Sequence, residues 1–137
     1  MKDQTNLKKS FLTLIEFLLL SKRNLVIAAE KLKLTPIQAL TLFLLDETRP
    51  MNSFTKIFHC DASNTTGIID GLEKKKLVSR YESKSDRRVK MIKITPKGTV
   101  ARDQIIADQF ADENFIFNKL NESETTTFVN LIEKIKS

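Results

Sequence analysis

The sequence predicts a mainly α fold carrying one small β-hairpin, an α+β arrangement, on three observations. Only three Gly and three Pro punctuate 137 residues, too few turns for an all-β chain. Helix-start signals recur at "LTPIQ" (34–38), "TPKG" (95–98) and "NESE" (121–124), where a capping residue precedes Pro or a partner side chain three positions on. Between residues 77 and 95, by contrast, two runs of strand length are enriched in β-branched or aromatic residues. The length is that of one domain, 1–137.

The first helix is expected from about residue 5 to about Lys33, with a kink near Ser21 to Asn24. Leu7, Phe11, Leu14, Ile15 and Leu18, then Leu25, Ala28, Ala29 and Leu32, occupy more than one face, so it must be covered from several sides. Its longest apolar run, Phe11 to Leu20, is broken by Glu16 and falls short of the roughly 20 residues a bilayer span needs. No small-residue cleavage motif follows. A cytoplasmic chain with no membrane partner is the expectation.

Thr35, Pro36 and Gln38 start a second helix running to about Asp46, with Ala39, Leu40, Phe43 and Leu44 facing inward, and Pro50 enforces the break after it. Ser53 is placed to cap a short third helix, "FTKIFH". After a tight link, Asp61 is placed to cap a fourth, "ASNTTGIIDGLEKKK", with Thr65, Ile68, Ile69 and Leu72 on one face. Two helices so linked form a helix-turn-helix pattern. The fourth helix's opposite face presents Ser63, Asn64, Thr66, Gly67, Asp70 and Lys74, small, polar or basic groups suited to a groove.

"LVSRYES" and "VKMIKIT" then read as paired strands, with Ile92 and Ile94 on one face and Lys84 to Arg88 at the tip. A helix-turn-helix followed by a hairpin is a winged helix. A fifth helix is expected from "TPKG" to about Asn118. The last, beginning at "NESE", is strongly amphipathic through Phe128, Leu131, Ile132 and Ile135.

The net charge of +6 is unevenly spread: residues 1–53 sum to +3, residues 54–100 to +6 and residues 101–137 to −3. A polyanion would therefore meet the middle third. The single Cys60 excludes an internal disulfide, and with only one His, His59, a zinc site would need carboxylates for most of its ligands. No Gly-rich phosphate loop, nucleophile triad or metal-ligand spacing is present. No enzyme activity, metal or cofactor is expected.

The strings "LTPIQALTLFLL", "CDASNTTGIIDGLEKKKLVSR", "SDRR" and "KITPKG" together resemble the MarR family of bacterial transcription regulators over roughly residues 30 to 100. That resemblance implies a winged-helix DNA-binding lobe over about 35–98. It also implies a homodimer built by N- and C-terminal dimerisation helices, about 1–33 and 99–137. A lobe of this size cannot by itself cover so apolar a first helix, which independently calls for a partner surface. The family likeness further implies that a small aromatic or anionic effector binds between the dimerisation helices and the lobe in some members.

Double-stranded DNA is the implied partner, with Ser63, Asn64, Thr66 and Lys74 at the fourth helix and Lys84, Arg87, Arg88 and Lys90 at the wing. The resemblance places Arg88 in the minor groove, where a planar cation senses groove width, and makes Asp86 the residue that orients it. Cys60 is expected to be a small buried hydrophobe. Two departures stand out: Lys76 replaces the Gly that usually ends the fourth helix, and Gly67 and Gly71 stand where many members have Arg or Lys. The function expected is that of a dimeric, sequence-specific regulator, a repressor reading a pseudo-palindrome. The alternative is a winged-helix protein-interaction module or a non-specific DNA-coating protein.

Overall fold

The computed structural model describes residues 2–137. It contains seven α-helices and a three-stranded antiparallel sheet, matching the mainly helical winged-helix expectation.

Helix α1 (Gln4–Lys31) begins where Asp3 accepts the Thr5 N–H at 3.0 Å. It runs without interruption through Ser21 to Asn24, so the expected kink is absent: no Pro or Gly lies within it to loosen the hydrogen-bond ladder. The helix ends where Lys33 turns left-handed (φ 57°). Lys33 N–H then reaches Glu30 O at 2.9 Å and Leu34 N–H reaches Ala29 O at 3.0 Å, the paired bonds of a Schellman stop.

Thr35 and Gln38 form the expected capping box at α2 (Pro36–Phe43). The inward face differs from expectation: Ala39, Thr41 and Leu42 are buried and Leu40 is exposed, with Phe43 and Leu44 half-buried. Thr41 tolerates burial because its hydroxyl donates to Ile37 O at 2.7 Å. A 3-10 turn (Leu44–Asp46) follows and leads into strand β1 (Arg49–Pro50), which pairs with a later strand. This strand was not expected from the sequence. It is two residues long and contains Pro, which is tolerated only because it lies at the sheet edge.

Helix α3 (Met51–Phe58) starts after Pro50, so Ser53 lies inside it, its hydroxyl donating to Pro50 O at 2.7 Å, rather than capping it. Helix α4 (Ala62–Lys74) is capped by Asp61 as expected and buries Thr65, Ile69 and Leu72. Lys76 (φ 62°) carries a second Schellman stop, with Lys76 N–H on Glu73 O and Leu77 N–H on Leu72 O. Strands β2 (Val78–Glu82) and β3 (Lys90–Ile94) form the hairpin. The sheet order is β1-β3-β2, with Ile92 fully buried and registered against Arg80 and Arg49.

Helix α5 (Pro96–Ala111) stops well before Asn118, shorter than expected. Asp112 leaves the helix with an extended backbone and accepts Asn114 N–H at 2.8 Å. Asn118 Nδ2 holds the carbonyls of Phe110 and Asp112, each at 2.9 Å. Phe110, Phe115 and Phe117 sit at intervals of five and two, which a helix cannot align on one face. They meet in succession instead, the first pair tilted and the second edge-on, with centroids 5.6 and 5.4 Å apart, around the short α6 (Ile116–Lys119).

The final helix α7 (Glu122–Lys136) has the Asn121–Glu124 capping box but no buried residue. Phe128 meets α1, edge-on to Phe17 at 6.3 Å. Along α1 and α7 large apolar side chains therefore stand open: Phe11 is 60%, Leu19 62% and Ile135 81% exposed. The closed core centres on the lobe, where Leu42, Leu45, Phe54, Ile69, Leu72 and Ile92 are buried together with Ala28 and Ala29 of α1 and Ile105 of α5.

Candidate nucleic-acid interface

The buried face of α4 docks on α3 through a small polar knot as well as through apolar contacts. Thr65 Oγ1 lies 2.9 Å from Thr55 Oγ1 and 3.3 Å from Cys60 Sγ, and it also donates to Asp61 O at 3.2 Å. Cys60 is therefore half-buried against a hydroxyl, not the buried hydrophobe expected: the tight turn, with His59 left-handed at φ 51°, leaves its thiol at the junction of the two helices. Fixing this knot fixes which α4 residues face outward.

Those residues have different commitments. Ser63 Oγ donates to Asp61 Oδ1 at 2.9 Å, and the same oxygen accepts Asn64 N–H at 2.8 Å. The Asn64 N–H, then the Ser63 hydroxyl, hold the Asp61 carboxyl below its ordinary pKa. Thr66 Oγ1 donates back to Ala62 O at 2.9 Å. The Asn64 side chain and Lys74 are exposed. Gly67 opens onto empty space, so nothing in the chain would touch a Cβ there.

At the wing, Ser83 N–H to Val89 O (2.9 Å) and Val89 N–H to Asp86 O (3.0 Å) close the tip. Asp86 grips Arg88 through both carboxylate oxygens, Nε at 3.1 Å and Nη2 at 3.2 Å, and accepts the Arg88 N–H at 3.1 Å. The Arg88 side chain, foremost among these contacts, lowers the Asp86 pKa. The guanidinium remains 91% exposed, aimed but not covered. Lys84 and Arg87 are exposed beside it, whereas Lys90 is engaged by Glu82 at 3.1 Å.

Wing and helices share one cleft of about 220 Å³, walled by Thr66 and Ala62 of α4, Asn52 and Thr55 of α3, and Arg88 and Lys90. Thr66, Arg88 and Lys90 thus come together, and Asn52 joins them, a residue that sequence reasoning missed because nothing in its local pattern marks it. Arg80, read from sequence only as part of a strand, is the other omission. Its Nη2 pairs with Asp70 and, at 2.9 Å, with Glu73. Those carboxylates, Glu73 first, raise its pKa further. Among the described residues no cluster of three or more His, Cys, Asp or Glu is placed to hold a metal ion, and no helix is long and apolar enough to cross a membrane.

Residues 34–90, which span α2 to the start of β3, match the model of the MarR family. That segment is similar to the MarR family. Two Bacillus subtilis proteins are similar in sequence. The uncharacterized HTH-type transcriptional regulator YhbI is 30% identical over 79 residues, 56% of this chain and 51% of that protein. The HTH-type transcriptional regulator MhqR is 30% identical over 74 residues, 54% and 51%. The chain spans about half the length of the curated relatives it matches.

The fold continues beyond the matched segment. A mutant MepR from a multidrug resistant S. aureus clinical isolate superposes with a TM-score of 0.78 at 21% identity over 91% of this chain and 94% of that one. A mutant MarR from E. coli complexed with operator DNA gives 0.69 at 23% over 98% and 99%. The matched segment thus sits within a fold that includes the flanking helices.

Proposed function

We propose that the protein is a homodimeric, sequence-specific DNA-binding transcription regulator, a repressor, with α4 in the major groove and the Arg88-tipped wing in the adjacent minor groove. One observation carries this reading: the exposed polar face of α4 and a guanidinium held outward by Asp86 wall the same cleft. A protruding cation beside a helix face free of bulky apolar groups suits a grooved polyanion. Lys84, Arg87 and Lys74 add sites for phosphate, and Ser63 helps to hold the helix N-terminus where phosphate is also favoured. The relatives named as transcriptional regulators and the neighbour complexed with operator DNA support the same direction.

The homodimer is supported by the open apolar faces of α1 and α7, which single-chain packing leaves uncovered. A small effector also has a candidate place. A cleft of about 410 Å³ has an apolar floor of Leu32, Leu77 and Val100 with Lys33, Lys75 and Lys97 around it, a combination suited to an aromatic or other small anion.

Selection from a random duplex library at physiological salt tests the main reading. Recovery of a two-fold symmetric site with half-sites about ten base pairs apart is expected. Salt-sensitive retention without any motif would favour a DNA-coating role, and no retention at all would refute DNA binding.

A further inference from the structure

Helix α4 carries an electrostatic handicap for the role proposed above. Its charged residues are Asp70, Glu73 and Lys74, so the segment that would approach phosphates has more acid than base. Asp70 and Glu73, three apart, lie on one ridge and remain 55% and 42% exposed. Unpaired, two carboxylates there would repel the backbone of a duplex.

Arg80 answers both at once. It projects from β2 on the same side as Val78, which is buried against the core. A single Nη2 serves Asp70 and Glu73, and the Arg80 side chain is only 23% exposed. The guanidinium is therefore committed to the helix, unlike that of Arg88. The pairing also crosses from recognition helix to wing strand, so the two elements that would read DNA are tied through charge as well as through the chain.

We infer that Arg80 is a positioning residue whose task is to cancel the acidic ridge of α4, making that helix acceptable to DNA without itself touching the duplex. This rests on the reading of α4 as the DNA-entering helix. Arg80 acts through Asp70 and Glu73, so its loss should be repaired by removing their charge, which no direct phosphate contact and no purely mechanical brace would allow.

The test is a charge-rescue series, read as the dissociation constant for a labelled duplex spanning two half-sites and for a random duplex of equal length at low salt. Arg80→Gln should weaken binding about ten-fold or more, since an uncompensated charge at a nucleic-acid surface costs on the order of 1–2 powers of ten. The triple variant Asp70→Asn, Glu73→Gln, Arg80→Gln should return to within about three-fold of wild type with an unchanged salt dependence, since no phosphate contact has been removed. Arg80→Lys, which keeps a single positive head to serve both carboxylates, should stay within a similar margin, and thermal melting of each variant checks that folding is retained.

Binding by Arg80→Gln equal to wild type would overturn the inference. A triple variant as weak as Arg80→Gln would also overturn it, assigning Arg80 to phosphate or to mechanical bracing. If the wild-type chain bound neither duplex, the DNA reading itself would fall and this inference with it, a result distinct from the other two.

Discussion

Gly98→Ala should destabilise the chain by about 1–3 kcal/mol, although it adds a single methyl group to a helix. Gly98 is buried in the first turn of α5, and a Cβ there would overlap the carbonyl oxygen of Leu77 while lying 2.7 Å from Ile94 Cγ1 and 3.0 Å from the Leu77 carbonyl carbon. Contacting carbons prefer about 3.5–4.0 Å, so α5 or the start of β2 must retreat by roughly 1 Å. Retreat strains a junction held by Thr95 N–H on Leu77 O (3.0 Å), Thr95 Oγ1 on Lys76 O (2.7 Å) and Gly98 N–H on Thr95 Oγ1 (3.0 Å). Overpacking costs about 1–3 kcal/mol and a weakened hydrogen bond about 1 kcal/mol, against about 1 kcal/mol regained in helix propensity. Urea denaturation should show a lowered midpoint at constant slope, and thermal melting a drop of about 5–15 °C. Gly67→Ala is the internal control: with open space at that position it should stabilise by about 0.5–1 kcal/mol. A loss below about 1 kcal/mol for Gly98→Ala, or equal effects at the two glycines, would refute the argument that α5 is pressed against the α4–β2 junction.

Arg88→Ala should weaken duplex binding by about 1–3 kcal/mol and relax the preference for narrow minor grooves; unchanged binding in a fluorescence titration would remove the wing from the interface. Lys76→Gly should stabilise by about 1 kcal/mol in urea unfolding, because a β-carbon at φ 62° is strained where Gly is not. The Asp61 carboxyl has a lowered folded pKa, so its capping contribution is complete above the unfolded pKa and disappears as pH falls through the folded one. The stability gap between wild type and Asp61→Ala should therefore be widest near neutrality and close in the acid carboxylate range; a gap independent of pH would count against the cap. Phe11→Glu with Leu19→Glu should convert a dimer to a monomer in sedimentation, and a wild-type chain that already sediments as a monomer would remove the dimer reading.

Fold-level features with a local cause were legible in the sequence. The Thr35, Asp61, Thr95 and Asn121 caps all form where their side chains pointed, because a cap needs only its next three residues. The strand pair is likewise where alternation put it. Two local expectations failed, the α1 kink and the Ser53 cap; the other failures depended on distant partners. Strand β1 exists only because β3 accepts it, and α5 ends because Asn118 reaches back for Phe110 O and Asp112 O. The inward face of α2 rotated by a residue because α1, α4 and α5 all press on it, and no periodicity within eight residues reports a three-sided fit.

The site follows the same division, with a chemical twist. Residue type and spacing singled out Ser63, Asn64, Thr66, Arg87 and Arg88 as candidates, yet type alone does not say whether a polar group is still available. Ser63 spends its hydroxyl proton on Asp61, Thr66 spends its own on Ala62 O, and Lys90 is held by Glu82. Arg88 is also paired, but to a residue two positions away within the tip, so pairing aims it outward rather than withdrawing it. Arg80 shows the converse: its partners are ten and seven residues distant across a helix-to-strand turn, and its pairing draws it in. Local pairing presents a cation and non-local pairing consumes one, so of two arginines that look alike in the sequence the geometry leaves Arg88 open to solvent and commits Arg80 to the helix beside it.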